Sequence, residues 1–137
     1  MKGRRGNNIV EFAILAPWYV FLFVGTFDMG LYAYTLISVE NAARVAAFHS
    51  AGSVAAVTDG KACTLALDQL KDLPVVPTVC TGSPLTVTST AVSGPEGVAN
   101  SAAQVTVTYV MPALVGIPGI LPGQYTVTRT VTMKIGG

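Results

Sequence analysis

The sequence predicts an α+β fold: a long, partly transmembrane N-terminal helix followed by a small antiparallel β-sheet head that carries a short helix. Three observations predict it. Between Ile9 and Val39 the only formal charges are Glu11 and Asp28. Past that point the composition turns to Thr, Val, Gly, Pro and Ser. Three stretches in this second half alternate with the two-residue period of a half-buried strand. A chain of 137 residues has room for one such unit. We divide it into a basic leader at 1–6, a long helix at 7–52 and a head at 53–137.

The leader, Met1-Lys2-Gly3-Arg4-Arg5-Gly6, sets three cations directly before the apolar run. Cations flanking a membrane segment stay on the cytoplasmic side, so the head is expected outside. From Phe12 to Phe27 the run is uncharged, and with Ile9 and Val10 it approaches the ~20 apolar residues that span a bilayer. A conventional secretory signal has a short apolar core with an A-x-A-like cut behind it. Ala13 and Ala16, or Ala42 onward, offer such cuts, but the apolar pattern continues through Leu31, Leu36 and Ile37.

Helical character persists beyond the membrane-length run. Val39, Ala42, Ala43, Ala46 and Ala47 form one face, Glu40 and Arg44 stand at ion-pair spacing, and Gly52 is the expected stop. A continuous helix from 8 to 51 is about 65 Å long, more than a small head can cover. Pro17 removes one amide and crowds the carbonyl of Ala13, so a kink is expected there, with Gly25-Thr26 a weaker point of give. Gly25, Gly30, Ala33 and the alanines from Ala42 to Ala51 suit close approach of helices. Alanine's plain helix preference is the competing explanation.

In the head, Asp59-Gly60 reads as a turn and Lys61–Asp72 as a short amphipathic helix; Pro74 and Pro77 then force extended chain. Leu85–Val92, Ala103–Met111 and Gln124–Ile135 are the three strands. Ser93–Gly97 marks a hairpin-like loop, and 112–123 is an apolar, Gly/Pro-rich connection. There Val115, Ile117, Ile120 and Leu121 either cover their own core or meet a neighbouring subunit. Cys63 and Cys80 are the only cysteines and lie on the outer side, where a disulfide persists. Closing that loop is worth about 3 kcal/mol.

Composition and motifs also exclude function classes. The net charge of +1 comes from scattered Lys and Arg, which form no stripe for nucleic acid. Two cysteines and the remote His49 make no four-ligand metal set. His49, the sole histidine, sits beside Ser50 in a poor orientation for a triad, and Asp59, Asp68, Asp72 and Glu96 show no acid–base pairing. No phosphate-binding glycine motif is present. We expect no enzyme and no cofactor.

Arg4-Arg5-Gly6, Val10-Glu11-Phe12-Ala13, Pro17, Gly25, Phe27-Asp28 with Gly30, and Ala42-Ala43-Arg44 stand in order and at matching spacing. In these residues the first third of the chain resembles the TadE-like branch of the type IV pilin superfamily. The resemblance implies a precursor held in the inner membrane and cut by a prepilin peptidase between Gly6 and Asn7. An ATPase-driven assembly platform would then move it into a homopolymeric filament or pseudopilus at the cell surface.

Glu11 maps onto the family's glutamate at the fifth mature position. A carboxylate in hydrocarbon costs roughly 2.5–3.5 kcal/mol, so an arbitrary one is a burden. Cleavage would place a new α-amine about 6 Å away along the same helix. Glu11 then pairs with its own amine, pairs with a neighbour's and sets the axial register, or snorkels to the headgroups. We favour the neighbour's. Three functions follow: a structural pilus subunit, a minor pilin or pseudopilin that primes or caps a filament and binds a surface or cargo, and a membrane-anchored domain that never assembles. Outward strand threonines are also sites where O-linked sugar fits.

Overall fold

Helix α1 spans Asn7–Ser50, 44 residues, and continues unbroken through Pro17. The computed structural model describes residues 7–113 and 123–136. The basic leader with Gly6, and Val115, Ile117, Ile120 and Leu121, lie outside the described residues. The missing amide at Pro17 does not end the helix, because neighbouring turns keep their own hydrogen bonds. The end comes where Gly52 N–H donates to His49 O (3.0 Å), a tightened last turn that satisfies an orphan carbonyl.

Two short helices follow. Helix α2, Val54–Thr58, starts at Ser53, whose hydroxyl accepts from the Ala56 amide. Helix α3, Lys61–Gln69, starts after Gly60, which takes the left-handed conformation (φ 76°) that the Asp59-Gly60 turn requires. It ends earlier than the expected Asp72 because Leu70 N–H already closes the last turn onto Ala66 and Leu67. The expected bridge is present: Cys63 on α3 is bonded to Cys80, with Cα atoms 5.8 Å apart.

The sheet has strands β1 Leu85–Val92, β2 Ala102–Pro112 and β3 Gln124–Lys134, in the order β1-β2-β3 and antiparallel throughout. The β1–β2 loop is closed by Gly94 N–H onto Val98 O and the Ser101 hydroxyl. Alternation sends Leu85, Val105, Val107, Tyr109, Met111 and Val127 to the buried face. The other face carries threonines in cross-strand rows, Thr86-Thr108-Thr128 and Thr88-Thr106-Thr130.

The second half of α1 lies across the inner face, against β2 and β3, with α3 beside it. Ala42, Ala43, Ala46 and Ala47 are fully buried there. Their small side chains therefore serve the close approach of α1 to its own head. Burial raises the Tyr109 hydroxyl's pKa, and that hydroxyl donates to Val75 O (2.8 Å), which ties the chain after α3 to the core.

Candidate functional site

Helix α1 has two environments along its length, and the change comes at Asp28. From Ile9 to Phe27 the apolar side chains stand clear of the head, Trp18 at 66% exposure among them. This bare stretch is about 28 Å long, close to the ~30 Å hydrocarbon thickness of a bilayer. The helix is long and apolar enough to cross a membrane. Glu11 sits one turn into it and is exposed.

Asp28 is the first buried residue (4% exposed), and it is partnered. Contacts with the head then recur on one face. Tyr32 meets Tyr125 with ring centroids 5.5 Å apart, and the Thr35 hydroxyl reaches both Leu31 O (2.9 Å) and Met111 Sδ (3.0 Å). Farther along, Glu40 bridges two cations. Its Oε1 accepts from Arg44 Nη2 at 2.8 Å, and its Oε2 lies 3.2 Å from Arg129 Nε on β3. The second contact is an ion pair too far out of line for a hydrogen bond, since Arg129 Nε has no hydrogen-bond acceptor.

The opposite face of this half is not polar. Tyr34, Ile37, Val45 and Phe48 are exposed, Ile37 at 61% and Phe48 at 76%. With Asn41 they fall within an arc of about 80° at 100° per residue, roughly opposite the buried stripe. Extended back by steps of three and four, the same line takes in Gly30, Phe27 and Phe23. An added Cβ at Gly30 would meet nothing within 4 Å, so that point is open to close approach from outside. One apolar seam thus runs from the bare half into the half that carries the head. Phe48 is about 30 Å along the axis from Phe27, well above any bilayer that the bare half occupies.

The sequence-predicted polar residues disperse. His49 Nε2 pairs with Asp59 Oδ2 at 2.9 Å, a contact that sequence spacing did not show. The His49 hydrogen bond, with that of the Lys61 amide, holds the Asp59 carboxyl below the usual carboxylate range. Ser50 turns instead to Ser89 on the sheet, with the two hydroxyl oxygens 3.4 Å apart. No three His, Cys, Asp or Glu side chains converge among the described residues. Sequence reasoning missed Arg129 and Thr35; a lone cation at an inward position of the third strand was the available signal for the first, though not for its partner.

No curated protein and no solved structure matches this chain. Residues 9–47 match the model of the family described as TadE-like protein. The match takes in the bare helix, the Asp28 transition and nearly all of the seam, and none of the head. Over this helix the chain is similar to the TadE-like family, which is consistent with a pilin-type protein.

Proposed function

We propose that this chain is a structural subunit of a Tad-like type IV pilus, assembling through α1 with other copies of itself. The observation that carries the proposal is the apolar seam beyond membrane height. A lone anchor needs an apolar surface only over the bare half, where lipid is the solvent. Ile37, Val45 and Phe48 lie outside that zone, on the face turned away from the head. An exposed apolar stripe on a helix, opposite the face that packs on the head, marks a surface for a partner to cover. Neighbouring helices in a filament would supply the missing cover, and spacing by threes and fours is the pattern by which helices interlock.

In this proposal the precursor sits in the inner membrane, is cut between Gly6 and Asn7, and is delivered by an assembly ATPase to a surface filament. Glu11 then sets the register by pairing with a neighbour's new amine. Electron microscopy of sheared surface material, with N-terminal sequencing of its subunit, tests the reading. The expected result is ordered fibres made almost wholly of this chain and beginning at Asn7. Fibres in which this chain is rare and confined to a tip would assign it the minor-pilin role, and recovery of Met1 in assembled subunits would remove the cleavage step.

A further inference from the structure

From Phe23 to Asn41 the seam of α1 alternates steps of four and three residues, the heptad spacing by which helices interlock along a coiled coil. Phe27, Tyr34 and Asn41 take the a positions, Phe23, Gly30 and Ile37 the d positions, and Phe48 continues the a series. The next d position is Arg44, whose charge Glu40 already holds at 2.8 Å.

Asn41 interrupts this apolar line with a carboxamide. It is exposed, and among the described residues nothing hydrogen-bonds its side chain. Covered by an apolar residue of a neighbouring helix, that amide would lose its water and gain no partner. A second Asn41 solves this, because a carboxamide both donates and accepts, and two of them complete each other across a twofold axis. A shift of one heptad would set Asn41 against Tyr34 or Phe48, and a shift of four residues against Ile37 or Val45. Antiparallel helices could also match the two amides, but they would send the membrane-length ends in opposite directions. Only a parallel pair in register satisfies both conditions.

A groove lower on the seam selects the same register. It is lined by Phe23, Thr26, Phe27, Gly30 and Leu31. The first four stand at i, i+3, i+4 and i+7, the corners of a hole that accepts one knob from a facing helix. In a parallel pair in register the knob level with that hole is Phe27 of the second copy. Gly30 keeps the hole open, since an added Cβ there would meet nothing within 4 Å.

We infer that the seam joins two copies of this chain as a parallel pair in register, with Asn41 against Asn41 as the register key. The inference rests on the reading that α1 meets other copies through its seam, and it adds their orientation, register and number. Each head packs on the side of α1 roughly opposite the seam, so both heads stay on the outside of the pair. Glu11 lies about 120° round the helix from the centre of the seam at 100° per residue. Its contact with a staggered neighbour's amine therefore uses another face, by which one pair can join the next.

Cysteine cross-linking of the full chain in detergent micelles tests the inference, because Cys63 and Cys80 are bonded to each other and offer no free thiol. Under mild oxidation, Ile37→Cys chains should link to themselves about tenfold or more faster than Met29→Cys chains, whose substituted position stands off the seam. In mixtures told apart by a mass tag, Ile37→Cys chains should not link to Arg44→Cys chains, one heptad away. Adding Asn41→Val should keep the pair and bring up that shifted link in comparable amount, because a wholly apolar line fits either register. Self-linking alone in the Asn41→Val background would overturn the role of Asn41. Equal linking at Met29→Cys would mean random collision and overturn the pair. Links chiefly between Ile37→Cys and Ala33→Cys chains, the four-residue stagger, would overturn the register while leaving assembly through α1 standing. No link at Ile37→Cys in any combination would overturn the seam reading as well, so the two failures are distinguishable.

Discussion

Replacing Phe48 with serine separates the fold of one chain from the assembly of many. Phe48 is 76% exposed on the face of α1 opposite the head, so the isolated chain has little to lose there. An exposed substitution of this kind usually changes stability by less than about 0.5 kcal/mol. If a neighbouring helix covers the ring, the exposed three quarters of a side chain worth about 1.5–3 kcal/mol is buried on assembly. The loss per subunit is then about 1–2 kcal/mol, or roughly a 5- to 30-fold weaker subunit contact. Two assays read the two quantities: circular-dichroism melting of the chain in micelles, and the temperature or detergent concentration at which sheared filaments release subunits. The substitution should leave the first within a degree or two and lower the second clearly. Val39→Ala is the counterpart, because Val39 is fully buried against the head; it should cost the isolated chain about 2 kcal/mol. Filaments of Phe48→Ser as resistant as wild type, or a monomer melting loss as large as that of Val39→Ala, would refute the seam.

Replacing Cys63 and Cys80 with serine opens a loop with a sequence separation of 17; a loss of about 3 kcal/mol in denaturant unfolding is expected, and an unchanged midpoint would show that the bridge adds nothing. Because the Asp59 pKa is lowered in the folded chain, its stabilising contribution is complete above the ordinary value of 3.8 and disappears as pH falls through the folded value. Asp59→Asn should therefore flatten the acid limb of a stability-versus-pH curve, and a superimposable curve would count against the His49 contact. Glu40→Gln leaves Arg129 without its anion; as both side chains are more than a third exposed or close to it, the expected loss is about 0.5–1 kcal/mol. A double-mutant cycle with Arg129→Ala that shows no coupling would sink that pair.

Local patterns in the sequence carried much of the architecture. Thr/Val alternation located all three strands to within a residue at their ends, because period two is a property of the strand itself. Glu40–Arg44 was visible because helical spacing fixes which side chains meet. Helix α2 was not visible: five residues hold barely one turn, too few for a period to emerge. The pairings of His49 with Asp59 and of Arg129 with Glu40 were hidden for another reason. Each joins different elements, and only the packed chain decides which faces oppose. The alanines of α1 misled in the same way, since small residues reveal close approach without naming the partner.

That last point bears on function through size as well as polarity. A helix packed on its own head would ordinarily set its large apolar residues inward and its polar ones outward. In the upper half of α1 four of the fully buried positions are alanines, and Val39 is the only larger aliphatic one, whereas Tyr34, Ile37, Val45 and Phe48 stand outside. Alanine inward brings the helix axis close to the sheet and α3, leaving little room there for larger side chains. The large apolar surface is thereby displaced to the far side, where one chain by itself would leave it in water. Such a layout raises the cost of the isolated head in aqueous surroundings and lowers the cost of joining neighbours. Lipid can cover the bare half before assembly, but not Phe48, about 30 Å higher. In the proposed filament, most of the pressure to assemble would therefore come from the upper half of the seam, where membrane and neighbour are not interchangeable.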